Sequence, residues 1–176
     1  MDIQRRVEKA IRDVPDFPKP GIIFKDITPV LEDPQLCHDI IEELAERCNS
    51  MQLDAIAGVE SRGFLFGMPL AIRLGLPFIT VRKKGKLPYK TISYSYELEY
   101  GSAEIEVHDG SITPGMNVMV HDDLLATGGT AAATAELIRM QDAEVSGFSF
   151  LVELSFLKGK QRLEEYASDI EIVVSY

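Results

Sequence analysis

No run of about 18 or more apolar residues occurs in the sequence, which excludes a membrane-spanning helix of the ordinary kind. The amino-terminal stretch MDIQRRVEKAIRDV carries charges throughout and lacks the apolar core of a secretory signal, so the expected compartment is the cytoplasm. Cysteine is scarce. Cys37 and Cys48 lie eleven positions apart in one expected helix, which separates them by about 16 Å along the axis. A disulfide needs Cα atoms within roughly 7 Å, so the two cannot pair, and two free thiols suit a reducing compartment. Positive charge is in deficit, with 18 Lys and Arg against 28 Asp and Glu, and a net charge of −10 argues against non-specific nucleic-acid binding. Internal repeats, low-complexity tracts and Pro/Gly/Ser linkers are missing, so one domain over residues 1–176 is expected. Neither the G-x-x-x-x-G-K-S/T phosphate loop nor the G-x-G-x-x-G dinucleotide fingerprint occurs.

What is present is ordinary for a globular protein, at 45% hydrophobic and 26% charged residues. A chain of this length can bury about 70% of its unfolded surface without staples. The basic residues are uneven: Arg82, Lys83, Lys84, Lys86 and Lys90 fall within nine positions. In an acidic protein such a cluster suits a small anionic ligand, or else a solvated turn guarding a sheet edge.

Periodicity predicts a first helix with Asp2 as N-cap and Ile3, Val7, Ala10, Ile11 and Val14 on one face, ended by Pro15 to Gly21. Asp33 and Pro34 open a second helix, with Cys37, Ile40, Ile41, Leu44 and Cys48 inward. Strands are expected over residues 55–59, 78–81, 101–107, 117–120, 145–154 and 170–174, and helices over 63–74 and 129–140. Residues 91–97 carry no clear pattern. Strands alternating with helices imply an α/β fold, a mostly parallel central sheet flanked by helices. Ligands then bind beyond the carboxyl ends of the strands, which directs attention to the loops after Val59, Val81, Val120 and Leu154.

The strongest local signal is Val118-Met119-Val120-His121-Asp122-Asp123-Leu124-Leu125-Ala126-Thr127-Gly128-Gly129-Thr130-Ala131. An apolar strand delivers two acids, and a short loop then enters a helix through Thr-Gly-Gly-Thr. Paired glycines let successive N–H groups converge, and the helix start adds about half a positive charge. That is a cradle for a phosphate monoester. Carboxylates beside it would repel the phosphate unless they served ribose hydroxyls or hydrated Mg²⁺. A plain strand-turn-helix would not need the acid pair.

This run resembles the phosphoribosyl pyrophosphate signature of the type I phosphoribosyltransferases, and its Leu-Leu-Ala-Thr-Gly-Gly-Thr form is similar to the adenine-specific branch. The resemblance implies that Asp122 and Asp123 hold the ribose hydroxyls and that Ala126, Thr127, Gly128, Gly129 and Thr130 bind the 5′-phosphate. His121 stands where relatives have an apolar residue and receives no catalytic role. Gly58-Val59-Glu60-Ser61-Arg62-Gly63-Phe64 resembles the family's pyrophosphate loop, with a cis peptide implied between Glu60 and Ser61 and pyrophosphate contacts from Ser61 and Arg62. Arginine suits bidentate phosphate contacts, although an exposed Arg at a helix start would look the same. A hydrolase nucleophile elbow is excluded because position 59 is Val.

Phe17-Pro18-Lys19-Pro20-Gly21-Ile22-Ile23-Phe24-Lys25-Asp26-Ile27 resembles the family's hood, over about residues 1–30, which implies adenine reading by Ile23, Phe24 and Lys25 through backbone groups and a stacked ring. Residues of about 82–108 resemble its flexible flap and arm. Arg82, Lys83 and Lys86 are then phosphate contacts, and a basic residue near Arg82 or Lys83 reaches a homodimer partner's pyrophosphate. Glu99 is a candidate acid near the purine, and Tyr100 covers the ligand. Taken together, the resemblance implies transfer of a phosphoribosyl group to adenine, giving AMP and pyrophosphate. It also implies Mg²⁺ held mainly by substrate and water, and catalytic roles for Arg62, Glu99, Asp122 and Asp123. Two rival readings are an oxopurine enzyme and a regulator that senses phosphoribosyl pyrophosphate on the same fold. The hood argues against the first; the absence of room for a DNA-binding domain before it argues against the second.

Overall fold

The computed structural model describes residues 2–98 and 101–176. Its centre is a seven-stranded sheet in the order β5-β6-β4-β3-β7-β8-β9. Strands β3 (Ala55–Val59), β4 (Phe78–Lys83), β7 (Asn117–Leu125), β8 (Glu144–Glu153) and β9 (Ile170–Ser175) pair in parallel. All five residues of β3 are buried, the mark of a strand covered on both faces. The sheet grows outward from β3 in both directions, towards β4 on one side and β7 on the other. That reversal is the topological switch point, where an open α/β sheet leaves a crevice at its carboxyl edge.

One face is covered by α5 (Gly129–Arg139), whose run of buried alanines brings the helix close to Val118, Val120 and Phe148. The other face is covered by α3 (Pro34–Cys48) and α4 (Gly63–Leu74), with α1 (Ile3–Ala10) beside them. The start of α3 is as expected: the Asp33 carboxylate accepts from the Leu36 N–H at 2.9 Å, with Pro34 in the first turn. Cys37 and Cys48 are free thiols on that helix.

The amino terminus departs from expectation. Helix α1 stops at Ala10, and Asp2 makes no side-chain cap. Arg12–Pro15 instead forms β1, antiparallel to β2 (Ile23–Asp26), with Val14 opposite Phe24. The physical reason is local: Pro15 disfavours the helical region for Val14 before it. The connecting turn has a cis Phe17–Pro18 peptide, and Asp16 Oδ1 accepts from the Gly21 N–H at 2.7 Å. A short helix, α2 (Thr28–Leu31), follows.

Two further differences shape the site. Strand β7 does not stop at Val120. It stays paired with β8 through Leu125, so both acids lie within the strand rather than in a loop after it. Thr91–Glu97, given no element from the sequence, is a full strand, β5, paired along its length with β6 (Ser102–His108). Its alternating Ile92, Tyr94 and Tyr96 pack on the core while hydroxyls and charges face out, and the aromatic content suits a half-covered edge strand. The hairpin is joined antiparallel to β4 through Arg82 and Lys83. Helix α6 (Gly159–Leu163) lies beside α5.

Candidate active site

The loop from β7 into α5 encloses a cleft of about 110 Å³ lined by Asp122, Ala126, Thr127, Gly128, Gly129 and Thr130, with Leu98 at its rim. Gly128 caps α5 at φ +76°, a left-handed conformation that lets the backbone turn under the cleft. A β-carbon there would sit 2.9 Å from the carbonyl oxygen of Gly159. Gly159 in turn has no room for one, because it would strike the Ala126 carbonyl. The cradle is therefore two backbones pressed together, β7–α5 against the start of α6. Gly159 carries no sequence signal of its own. The first turn of α5 lines the cleft, and the N–H groups that a helix leaves unpaired at its start suit an anion.

Asp122 lines this cleft and a second one beside it. Successive strand residues face opposite sides. Asp123 is buried and meets Arg62, whose Nε lies 3.0 Å from its Oδ2 as an ion pair rather than an aligned hydrogen bond. Burial, then the neighbouring Asp123 charge, push the Asp122 carboxyl well above the usual carboxylate range. Burial also raises Asp123, with Arg62 the largest opposing influence. Like charges this close resist simultaneous ionisation.

Arg62 stands at the N-cap of α4, after a cis Glu60–Ser61 peptide, as the resemblance implies. The helix begins hard against β7: a β-carbon at Gly63 would lie 2.9 Å from the His121 carbonyl oxygen and 3.0 Å from Asp122 Oδ1. The guanidinium carbon of Arg62 is 5.5 Å from the Phe24 ring centroid, so one residue touches both the acid pair and the hood. Ser61 is exposed at the same turn.

The second cleft, about 130 Å³, is lined by Glu60, Arg82, Lys83, Tyr96, Asp122 and Thr130. The Arg82 side chain is already engaged: it donates to Glu60 Oε2 at 3.0 Å and to the Lys86 carbonyl at 3.2 Å. Its guanidinium is thus held on its own chain in this structure. The Lys83 N–H donates to the same Glu60 oxygen. The basic turn is anchored by Glu106, a buried carboxylate accepting from the N–H groups of Lys86 and Leu87 and from the Thr91 hydroxyl, each at 3.0 Å. Burial opposes its ionisation, but these donors outweigh it and hold the carboxyl below its usual range. Glu99 and Tyr100 lie outside the described residues.

In the hood, Phe24 meets Phe17 edge-on at 5.2 Å, and these two line an apolar hollow with Val14 and Asp26. The Lys25 side chain turns elsewhere. Its Nζ pairs with Asp13 at 2.7 Å and lies 3.7 Å from the Tyr176 ring centroid, leaving only its backbone for a base. Ile23 is exposed, and among the described residues β2 pairs with β1 alone, which leaves its other edge without a strand partner there. His121 is fully buried, its Nδ1 3.1 Å from Ser149 Oγ; burial lowers its pKa to about 4 and keeps it neutral.

Sequence reasoning missed Glu60 as the partner of Arg82, Glu106 as the anchor of the turn, and Tyr96, whose hydroxyl is 3.2 Å from Thr130 Oγ1. The alternation of Tyr94 and Tyr96 between serines was the one available sign.

Fold and cleft together define an α/β protein with a glycine-turned anion cradle at the carboxyl edge of a parallel sheet, near a small aromatic hood. Residues 30–175 match the phosphoribosyl transferase domain. An adenine phosphoribosyltransferase of Cytophaga hutchinsonii is 50% identical over 99% of this chain and 96% of its own. The crystal structure of the enzyme from Thermoanaerobacter pseudethanolicus is 48% identical, with a TM-score of 0.93 over 98% of this chain and 99% of that one. The Saccharomyces cerevisiae enzyme, crystallised with adenine and an imino-altritol bisphosphate, is 39% identical, with a TM-score of 0.89 over 97% and 98%. The chain belongs to the phosphoribosyltransferase family, among the adenine phosphoribosyltransferases.

Proposed function

We propose that this chain transfers the phosphoribosyl group of phosphoribosyl pyrophosphate to adenine, giving AMP and pyrophosphate in purine salvage. The observation that carries the reading is the glycine-capped cradle opening into the same cleft as Asp122, with Arg62 paired to the adjacent Asp123 and lying 5.5 Å from the Phe24 ring of the hood. The 5′-phosphate takes the N–H groups and hydroxyls from Ala126 to Thr130. Asp122 takes the ribose hydroxyls and, with Asp123 behind it, opposes positive charge developing on the ribose carbon as the pyrophosphate bond breaks. Arg62 and the lysines at 83 and 86 meet the leaving pyrophosphate. Adenine lies on Phe24 with its polar edge against the free edge of β2. Glu99 is proposed, from the family resemblance, to manage the proton at the base.

Among the described residues, no cluster of three or more His, Cys, Asp or Glu could cage a metal. The donor set still fits Mg²⁺ held mostly by water and the sugar diphosphate, the usual habit of this ion, with Asp122 and Glu60 the carboxylates that line the cleft. When bound, the ion supplies charge neutralisation on the pyrophosphate.

The test is incubation with Mg²⁺, phosphoribosyl pyrophosphate and each of adenine, hypoxanthine, guanine and xanthine. AMP formation with little product from the oxopurines is expected. Tight binding of the sugar donor with no AMP would replace the enzyme with a sensor. Phe24→Ala is expected to raise the KM for adenine about tenfold, the scale of one base–aromatic stack, and to leave the KM for the sugar donor unchanged. Equal effects on both would remove Phe24 from the base site.

We also propose a cytoplasmic homodimer. The two free thiols support the compartment, and no helix among the described residues is long and apolar enough to cross a membrane. Leu65, Met68 and Ile72 form an exposed apolar stripe along α4, at 43%, 45% and 67% exposure. Such a stripe calls for a partner, and a second copy is the one the family implies. Met68→Lys with Ile72→Glu is expected to convert the dimer to a monomer in sedimentation velocity. An unchanged dimer would place the interface elsewhere.

A further inference from the structure

The arm strand β5 reaches the phosphate cradle at one point. Ile92, Tyr94 and Tyr96 form its inner face and pack on the core beside α5. Of the three, Tyr96 alone lines the cleft that also holds Asp122 and Thr130. Its phenol oxygen is 3.2 Å from Thr130 Oγ1. The Thr130 carbonyl is occupied separately, accepting from the Thr134 hydroxyl at 2.9 Å. Among the described residues, Tyr96 is the one group bonded to the Thr130 hydroxyl.

A threonine hydroxyl has one proton to give and lone pairs to receive. In the unliganded cleft either oxygen can donate. A phosphate in the cradle removes that freedom, because an anion accepts and cannot donate. The Thr130 proton must then point at the phosphate, and the Tyr96 proton must point at Thr130. Phosphate binding therefore sets the direction of the Tyr96–Thr130 bond, and hydrogen bonds in such a chain strengthen one another.

We propose that Tyr96 is a positioning residue that orients the Thr130 hydroxyl towards the sugar's 5′-phosphate and ties the arm to the occupied cradle. The inference rests on the function proposed above and adds a coupling between phosphate occupancy and arm position. Arm order becomes a consequence of the phosphate end of the substrate, not only of its pyrophosphate end. Tyr96 touches neither reacting atom, so the effect falls on donor binding more than on the chemical step.

Tyr96→Phe keeps the packing and removes the hydroxyl. Its KM for phosphoribosyl pyrophosphate is expected to rise about three- to tenfold, the worth of one neutral hydrogen bond. The KM for adenine and the kcat should stay within about twofold. In a double-mutant cycle, adding Tyr96→Phe to Thr130→Ala should change the donor KM by less than about twofold, because the bond is already lost. Ribose 5-phosphate alone should slow amide exchange over residues 91–98 in the wild type and not in Tyr96→Phe. A donor KM unchanged in Tyr96→Phe, additive effects in the double variant, or equal protection in both proteins would each overturn the proposal. The exchange measurement needs no turnover. A wild type that makes no AMP would therefore count against the transferase reading while the coupling is still decided.

Discussion

Asp122→Asn is expected to lower kcat by about a hundredfold or more and, at the same time, to make the ligand-free protein more stable at about pH 8. The loss follows from removing a preorganised charge that faces the ribosyl group, an effect of ~10²–10³ for a single such group. The gain follows from the raised carboxyl. In the unfolded chain an aspartate ionises near its ordinary value of 3.8, whereas burial and Asp123 push Asp122 well above it in the native state. Between those two values the native state retains a proton that the unfolded state has shed. Stability from this group is thus complete below the unfolded value and is lost as pH rises through the native one. Asparagine cannot lose that stability. The thermal midpoint of the variant should match wild type near pH 4 and exceed it at pH 8, by about 3 °C for each ~1 kcal/mol in a chain of this size. A kcat within twofold of wild type would remove Asp122 from the reaction, and a wider gap in acid than in base would reverse the pKa assignment.

Gly128→Val is expected to raise the KM for phosphoribosyl pyrophosphate by at least about a hundredfold, with the KM for adenine nearly unchanged. Two costs coincide at this position. Valine is strained at φ +76°, by roughly 1–2 kcal/mol, and its β-carbon would lie 2.9 Å from the Gly159 carbonyl, which is backbone and cannot swing aside. The loop must move, and the converging N–H groups move with it. Gly75→Val separates the two costs. Gly75 has φ +69°, but a β-carbon there meets nothing within 4 Å, so that variant should lose stability without losing donor affinity. Equal KM values in the two variants would sink the cradle assignment.

The parallel core and the cradle were readable because their signals are local. Buried strands announce themselves as apolar runs, and Thr127-Gly128-Gly129-Thr130 needs its glycines for the turn it makes. The cis Glu60–Ser61 peptide was readable only through family resemblance. What was hidden depends on partners distant in sequence. Glu106 reads as one more charge on an alternating strand until the turn at 86–91 folds onto it. Tyr96 lies in a stretch that carries no reading until α5 is placed beneath it. Val14 followed helical spacing for want of any local sign of β2, except the proline after it. The acids seemed to end a strand because polar residues usually do. Here β8 continues beside them and its ladder carries β7 on to Leu125.

The arm is fastened very unequally at its two ends. At the lysine turn, one buried carboxylate collects three donors. Near the cleft, among the described residues, the side-chain bond from β5 is one between the neutral hydroxyls of Tyr96 and Thr130, beside the packing of Tyr94 and Tyr96 on the core. Local opening follows the weakest attachment, so amide exchange in β5 is expected to be faster around Tyr96 than around Thr91, and the reverse order would place the looser end at the lysine turn.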